Sequence, residues 1–136
     1  MRNAIEILLI NADTRERDIF SFALNDLPVR YNCRFAWNIK DAIKKLRTVI
    51  PDYIFIDLKD AQPGISICLE QIKKMTGVKD TRVIVCSDDS TDISAEKALQ
   101  SGAFMCINKT AIISDLIHAL KKIFLKKPIH SNMNNG

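Results

Sequence analysis

The sequence predicts an α/β fold in which helices cover both faces of one parallel sheet. Five short apolar runs typical of buried strands alternate with five stretches whose apolar residues recur at helical spacing. The connections are short, and no internal repeat divides the chain. Strands that alternate with helices pair in parallel through right-handed crossovers, so a single domain over residues 1–127 is expected. Residues 128–136 are predicted to form a polar, disordered tail.

The first half of the chain contains three predicted strands and two helices. Ile5–Ile10 is almost wholly apolar and predicts the first strand, and the helix after it carries its apolar stripe on residues 19–27. Residues 33–37 partly alternate between apolar and polar, as expected of a less buried second strand. Asn38 is a good N-cap for the second helix, and Tyr53–Asp57 predicts a buried third strand.

The second half contains two further strands and three helices. In chain order they are a helix from Ile65 to a stop at Gly77, a strand at Arg82–Ser87, a helix over residues 93–101 ended by Gly102, a strand over residues 104–107 and a helix at Ile113–Leu125. The strand order 2-1-3-4-5, the flavodoxin-like arrangement, fits these elements best. It leaves the partly polar second strand at an edge and places the first and third strands side by side.

The composition is that of an ordinary globular protein. Of 136 residues, 47% are apolar and 26% are charged, which excludes a disordered or fibrous chain. No stretch approaches the roughly eighteen apolar residues of a membrane span. Glu6 interrupts the apolar start, so no signal peptide is expected. The sequence predicts a cytoplasmic protein that does not enter a membrane.

Cysteine spacing and charge argue against a zinc site and a nucleic-acid surface. The cysteines are Cys33, Cys68, Cys86 and Cys106. None forms a C-x-x-C pair, so they are interpreted as small buried hydrophobes. The net charge of +4 arises at the end of the chain, from Lys121, Lys122, Lys126 and Lys127. This pattern favours a solvated last helix over nucleic-acid binding, and a homodimer through that helix is an open alternative.

Asp57 is the first candidate functional residue. It closes an apolar strand, and the binding crevice of an open α/β sheet lies outside the carboxyl ends of its strands. Asp57 could equally cap the turn that follows. The residues themselves leave both interpretations open.

Four strand ends should deliver polar groups to one edge of this sheet. They carry Asn11 and Asp13 after the first strand, Asp57 after the third, Ser87 after the fourth and Lys109 after the fifth. Carboxylate, hydroxyl and ammonium groups at one crevice suit phosphoryl transfer, in which catalysis is mostly positioning and charge neutralisation. Asp57 would be the nucleophile, and Mg²⁺ held by carboxylate and carbonyl oxygens would offset the incoming charge.

This ordered set resembles the receiver domain of bacterial two-component response regulators, the family that includes the chemotaxis regulator. The resemblance covers residues 5–127 and includes the pair Gly102-Ala103 ahead of the fifth strand. It implies that Asp57 accepts a phosphoryl group from a histidine kinase or phosphotransfer protein. Ser87 would be the switch hydroxyl and Lys109 the phosphate-binding lysine.

The resemblance also implies a metal site and a partner surface. Asp57, Asp13, Asn11 and the backbone carbonyl of Lys59 would be the ligands of Mg²⁺. A downstream protein would bind the face formed by the fourth helix, fifth strand and last helix. Apart from its own phosphoryl transfer and hydrolysis, the protein would not be an enzyme, and no organic cofactor is expected.

Several positions depart from the family pattern, and the departures cluster at the metal. The two adjacent acids usual after the first strand align with Asn11 and Ala12, so the Mg²⁺ site should be weak or absent. Thr110 stands where a cis proline is common, which predicts a trans bond and a shifted Lys109 loop. Asp88 would repel an incoming phosphoryl group unless a lysine neutralised it, and Cys106 replaces the usual switch aromatic.

Two further interpretations therefore accompany the phosphorylated receiver. One is a pseudo-receiver, an interaction module of the same fold that works without phosphorylation. The other is a flavin carrier, because flavodoxins share the fold. A flavin carrier needs a Ser-, Thr- or Gly-rich loop after the first strand, and residues 11–15 do not supply one.

Overall fold

The computed structural model describes residues 4–77, 80–88, 93–109 and 113–125. Its strands are β1 (Ile5–Ile10), β2 (Tyr31–Ala36), β3 (Tyr53–Asp57), β4 (Arg82–Ser87) and β5 (Met105–Asn108). Its helices are α1 (Thr14–Asn25), α2 (Ile39–Leu46), α3 (Ile65–Thr76), α4 (Ile93–Gln100) and α5 (Ile113–Leu125), with a short 3-10 helix at Leu58–Asp60. The predicted tail, Lys126, Lys127 and the predicted trans bond at Thr110 lie outside the described residues.

The five strands form one parallel sheet in the order β2-β1-β3-β4-β5, which confirms the predicted fold. Four of the five residues of β3 are buried, whereas only Ala36 of β2 is buried. The apolar strands β1, β3 and β4 therefore form the centre of the sheet, and the partly polar β2 and the short β5 form its two edges.

Alternate residues of β3 face two separate core layers. Ile54 and Ile56 pack in the layer covered by α2, α3 and α4. Phe55 packs in the opposite layer, covered by α1 and α5. Its ring centroid lies 4.9 Å from that of Phe20 and 6.1 Å from that of Phe124. The strand that ends at Asp57 is thus held from both sides.

The bounds of β2 and β5 differ from the predicted ones at both ends, and in each strand an aromatic residue predicted inside it lies just outside, stacked on an arginine. The sheet excludes Trp37, whose ring lies 4.3 Å from the guanidinium of Arg17. β5 begins after Phe104, whose ring lies 4.7 Å from the guanidinium of Arg82. Both aromatic side chains are about half exposed. Such cation–π contacts stabilise an aromatic ring without burying it.

The predicted helix ends are confirmed in part. Asn38 caps α2, its Oδ1 accepting a hydrogen bond of 2.8 Å from the amide of Asp41. Gly102 follows α4 with a φ of 110°, in the region that favours glycine. Gly77 ends α3 as predicted, but its φ of −56° is helical and not left-handed. Gly77 therefore ends the helix without the left-handed conformation that usually favours glycine at this position.

The predictions about the cysteines and about membrane-spanning segments can also be compared with the structure. Of the cysteines, Cys68 is buried while Cys33, Cys86 and Cys106 are only partly buried, and all four thiols are free. Burial raises the pKa of the Cys33 thiol to about 12. None of the helices within the described ranges is long and apolar enough to cross a membrane.

Candidate functional site

Asp57 lies at the carboxyl end of β3, with only 3% of its surface exposed. Its Oδ1 accepts a hydrogen bond of 3.0 Å from the amide of Lys59 and so caps the 3-10 helix. Its Oδ2 is turned towards the crevice, a cavity of about 340 Å³. The carboxylate therefore caps a turn with one oxygen and offers the other to the crevice.

Two lysine ammonium groups contact the Oδ2 atom of Asp57. The Nζ of Lys109 lies 2.8 Å from it and the Nζ of Lys59 lies 3.0 Å from it. Lys109 is placed by β5, where its amide donates a hydrogen bond of 2.6 Å to the carbonyl of Ser87. Lys59 is placed by the 3-10 helix. Lys109 was predicted in this position. Lys59 was predicted to offer its backbone carbonyl to a metal, and its ammonium was named only as an alternative counter-charge to Asp88.

Glu16 in the first turn of α1 completes the ion-pair network, and the sequence analysis missed it. Its Oε1 lies 3.0 Å from the Nζ of Lys59, and its Oε2 lies 3.2 Å from the Nζ of Lys109. The helical pattern assigned Glu16 to the solvent face. A usable signal was present, because Glu16 precedes the core residue Phe20 by four positions and so shares its face of the helix.

Asn11 and Asp13, predicted as metal ligands, have different surroundings. Asn11 is buried, and its Nδ2 lies 3.0 Å from Glu16 and 3.5 Å from the Oδ2 of Asp57. Asp13 lines the same cavity but caps α1, because its Oδ1 accepts hydrogen bonds from the amides of Arg15 and Glu16. Asp13 therefore organises the helix that carries Glu16.

Asp60, in the turn after β3, was expected at the mouth of the site but with no assigned role there. Its Oδ2 accepts a hydrogen bond of 3.2 Å from the amide of Ala12 and lies 3.5 Å from the Nζ of Lys59. Asp88, expected to repel an incoming anion, lies 3.6 Å from the Nζ of Lys109 and is largely exposed. The lysine contact and the water around Asp88 both weaken that repulsion.

Ser87 lies next to this network at the end of β4. The residue before it, Cys86, is the register partner of Asp57. Ser87 is buried, and its Oγ has no hydrogen-bond partner within the described ranges. A buried hydroxyl without a partner costs free energy, so this Oγ is available for a hydrogen bond.

Burial and ion pairing have opposite effects on the pKa values of Glu16, Lys59 and Lys109. Burial alone would raise the pKa of Glu16, but hydrogen bonds from Asn11, Lys59 and Lys109 lower that pKa to about 2. Burial alone would lower the pKa of both lysines, but contacts with Asp57 and Glu16 outweigh it and raise the pKa of each. Glu16, Lys59 and Lys109 are therefore ionised at neutral pH.

Glu16→Gln should destabilise the protein at neutral pH but not in strong acid. Because the folded state lowers the pKa of Glu16 from 4.5 to about 2, its contribution is complete above pH 4.5 and is lost as the pH falls towards 2. Urea unfolding of both proteins between pH 7 and pH 2 should show their difference shrinking over that window. Glu70→Gln on the exposed face of α3 is the matched control. An equal, pH-independent effect of both variants would contradict the assignment.

The sequence matches the family model described as "Response regulator receiver domain" over residues 7–121. The chain belongs to the response regulator receiver family. The receiver is 34% identical over 86 residues to the response regulator protein VraR of Staphylococcus saprophyticus, a stretch that covers 62% of this chain and 40% of that protein. It thus spans about two-fifths of that relative's length.

Solved receiver structures share this fold. The phosphorylated cyanobacterial phytochrome response regulator RcpA superposes with a TM-score of 0.75 at 20% identity, over 90% of this chain and 95% of that one. The receiver domain of a sensor histidine kinase from Pseudomonas aeruginosa PAO1, with magnesium in its active-site cleft, superposes with a TM-score of 0.70 at 17% identity, over 88% and 96% of the two chains.

The donor groups of this receiver do not fit a divalent ion as they are arranged. Its described ranges contain no group of three or more His, Cys, Asp or Glu side chains that could hold a metal. Asn11 and Ala12 supply no carboxylate, and Asp13 caps a helix. The Oδ2 atom of Asp57 is already in contact with two ammonium groups. Mg²⁺ relies on accessible carboxylate oxygens at about 2.0–2.1 Å.

Proposed function

We propose that this receiver accepts a phosphoryl group on Asp57 from a histidine kinase or phosphotransfer protein and passes the change to a downstream protein. Membership of the family supports the general role. The observation that carries the assignment to Asp57 is the pair of ammonium groups within 3.0 Å of its Oδ2 atom. They place positive charge where a transferred phosphoryl group would bring negative charge.

The proposed chemistry is a single displacement at phosphorus. A carboxylate oxygen of Asp57 attacks the phosphorus of a phosphohistidine, a P–O bond forms, the P–N bond breaks, and the departing imidazole takes a proton from water. Lys109 would stay on the phosphoryl oxygens as a charge partner. The hydroxyl of Ser87, which has no hydrogen-bond partner among the residues that the structure describes, would donate a hydrogen bond to the same group.

Intact mass spectrometry after treatment with phosphoramidate tests this proposal. We expect one phosphoryl adduct on the native chain and none on Asp57→Asn. Asp41→Asn is the matched control, because Asp41 also pairs with a lysine, Lys45 at 3.0 Å, but lies on α2. An adduct that survives in Asp57→Asn would place the acceptor elsewhere. No adduct on any protein, with or without Mg²⁺, would overturn the proposal.

The absence of a phosphoryl adduct on every protein tested would favour the pseudo-receiver. One observation supports this alternative: both oxygens of Asp57 already have partners, one in the amide of Lys59 and the other in two ammonium groups. A carboxylate held in this way can be a structural centre of the fold without reacting. The phosphoramidate experiment separates the two functions, because a structural carboxylate forms no acyl phosphate.

The downstream partner is proposed to bind the face formed by α4, β5 and α5. Leu99 on α4 and Phe104 before β5 are both large apolar side chains about half exposed. Cys106, at the position of the usual switch aromatic, has its Sγ 3.3 Å from the carbonyl of Ala95. A rotating ring at this position therefore cannot report phosphorylation here.

A further inference from the structure

The ammonium group of Lys59 occupies the middle of a set of oxygen atoms. It lies 3.0 Å from Asp57 Oδ2, 3.0 Å from Glu16 Oε1, 3.4 Å from Asn11 Oδ1 and 3.5 Å from Asp60 Oδ2. These four side chains, here named the oxygen cluster, come from β3, α1, the loop after β1 and the 3-10 helix. Carboxylate and amide oxygens are the ligands that a hard divalent cation prefers, but here they surround an ammonium group.

We propose that the Lys59 ammonium is the resident cation of the oxygen cluster and takes the place of a divalent ion. The receiver would then bind divalent ions weakly and accept a phosphoryl group on Asp57 without them. Phosphorylation without a divalent ion rests on the function proposed above, whereas weak binding of divalent ions does not.

The local backbone favours this position of the lysine. Asp57 Oδ1 holds the Lys59 amide at 3.0 Å, which fixes the start of the 3-10 helix, and the Lys59 ammonium lies 3.0 Å from the Oδ2 of the same carboxylate. Asp60 in the same turn is held by the amide of Ala12 at 3.2 Å. The turn after β3 is thereby tied to the loop after β1, and Lys59 lies between them.

Charge balance stabilises the Lys59 ammonium in the oxygen cluster. The three carboxylates of the oxygen cluster face two ammonium groups, those of Lys59 and Lys109. Without Lys59, two carboxylates would lack a counter-charge, which is the charge of one divalent ion. A dication in contact with Asp57 Oδ2 would have to share space with the Lys59 ammonium and would repel it.

The competition is an equilibrium, because 46% of the Lys59 side chain is exposed and it can move into water. Removing the lysine should therefore change the affinity for a divalent ion by a measurable factor. Mn²⁺ is a suitable probe, since free and bound Mn²⁺ are distinguished by electron paramagnetic resonance.

Titration with Mn²⁺ tests whether Lys59 is the resident cation of the oxygen cluster. The proteins to compare are the native chain, Lys59→Met, Lys59→Arg and Lys45→Met. We expect Lys59→Met to bind Mn²⁺ about tenfold or more tightly than the native chain, as removal of one adjacent positive charge implies. Lys59→Arg, which keeps the charge, should stay weak. Lys45→Met, which removes an equally paired lysine on α2, should match the native chain. Equal affinity of the native chain and Lys59→Met would overturn the proposal.

Phosphoramidate labelling with Mg²⁺ or with a chelator tests the second consequence. The native chain should form its adduct at similar rates in both conditions, whereas Lys59→Met should depend on Mg²⁺. A native chain that needs Mg²⁺ would overturn the proposal. If no variant forms an adduct, the phosphoryl-transfer function fails, and the Mn²⁺ titration still decides the role of Lys59.

Discussion

Phe55→Ala should lower the free energy of unfolding by about 3–5 kcal/mol, the usual cost of removing a large buried aromatic side chain. Phe55 is 0% exposed and lies in the centre of the sheet, two residues before Asp57. Its ring contacts Phe20 of α1 edge-on and reaches Phe124 of α5. The truncation leaves a cavity between the sheet and both helices. Urea unfolding followed by circular dichroism measures the loss.

Phe22→Ala is the matched control for this prediction. Phe22 lies on α1, but 60% of it is exposed, so the same chemical change should alter stability by about 0.5 kcal/mol or less. Phe55→Leu, which retains more of the apolar volume, should lie between the two. If the two alanine variants were equally destabilised, Phe55 would not be the centre of that core layer.

Replacing both Lys59 and Lys109 by methionine should destabilise the protein by about 3–5 kcal/mol at pH 7, as expected when a buried charge loses its partners. Among the hydrogen bonds described above, Asp57 would keep those from the backbone amide of residue 59 and from the more distant side-chain amide of Asn11. Each single variant should cost less than half of the double variant, because the other ammonium still contacts Asp57 Oδ2. Thermal unfolding of the three variants measures this difference.

Asp57→Asn distinguishes charge from packing in this experiment. Introduced into the double variant, it removes the unpaired charge at nearly constant volume and should restore most of the lost stability. Lys45→Met, which breaks an ion pair on α2, should cost about 0–1 kcal/mol. A double variant as stable as Lys45→Met, or one that Asp57→Asn fails to rescue, would show that the lysines do not neutralise a buried carboxylate.

The order of the strands was predictable because the apolar content of a strand indicates how deeply it is buried. The apolar residues of β1 and β3 can only lie in the centre, and the polar positions of β2 suit an edge. Strand ends were less predictable, since Trp37 and Phe104 are apolar yet stack on arginine outside the sheet. Hydrophobicity alone does not distinguish a buried ring from one stacked on a cation.

The candidate site was predictable where strands deliver its residues. Asp57 and Lys109 are in contact because parallel strands end at one edge, and Ser87 lies at the end of β4 beside them. Glu16 and the contact of the Lys59 ammonium with Asp57 were missed because a helix turn and a 3-10 turn direct these side chains, and both turns depend on the caps formed by Asp13 and Asp57. Cap geometry involves contacts between segments that periodicity does not encode.

The position of Glu16 four residues before Phe20 on α1 has a thermodynamic consequence. One face of this helix holds the lysines of the crevice at its first turn and the ring of Phe55 one turn later. Displacing α1 at either point shifts its contact at the other. Free-energy changes measured in the crevice and in the core beneath it should therefore be non-additive, with α1 as the coupling element.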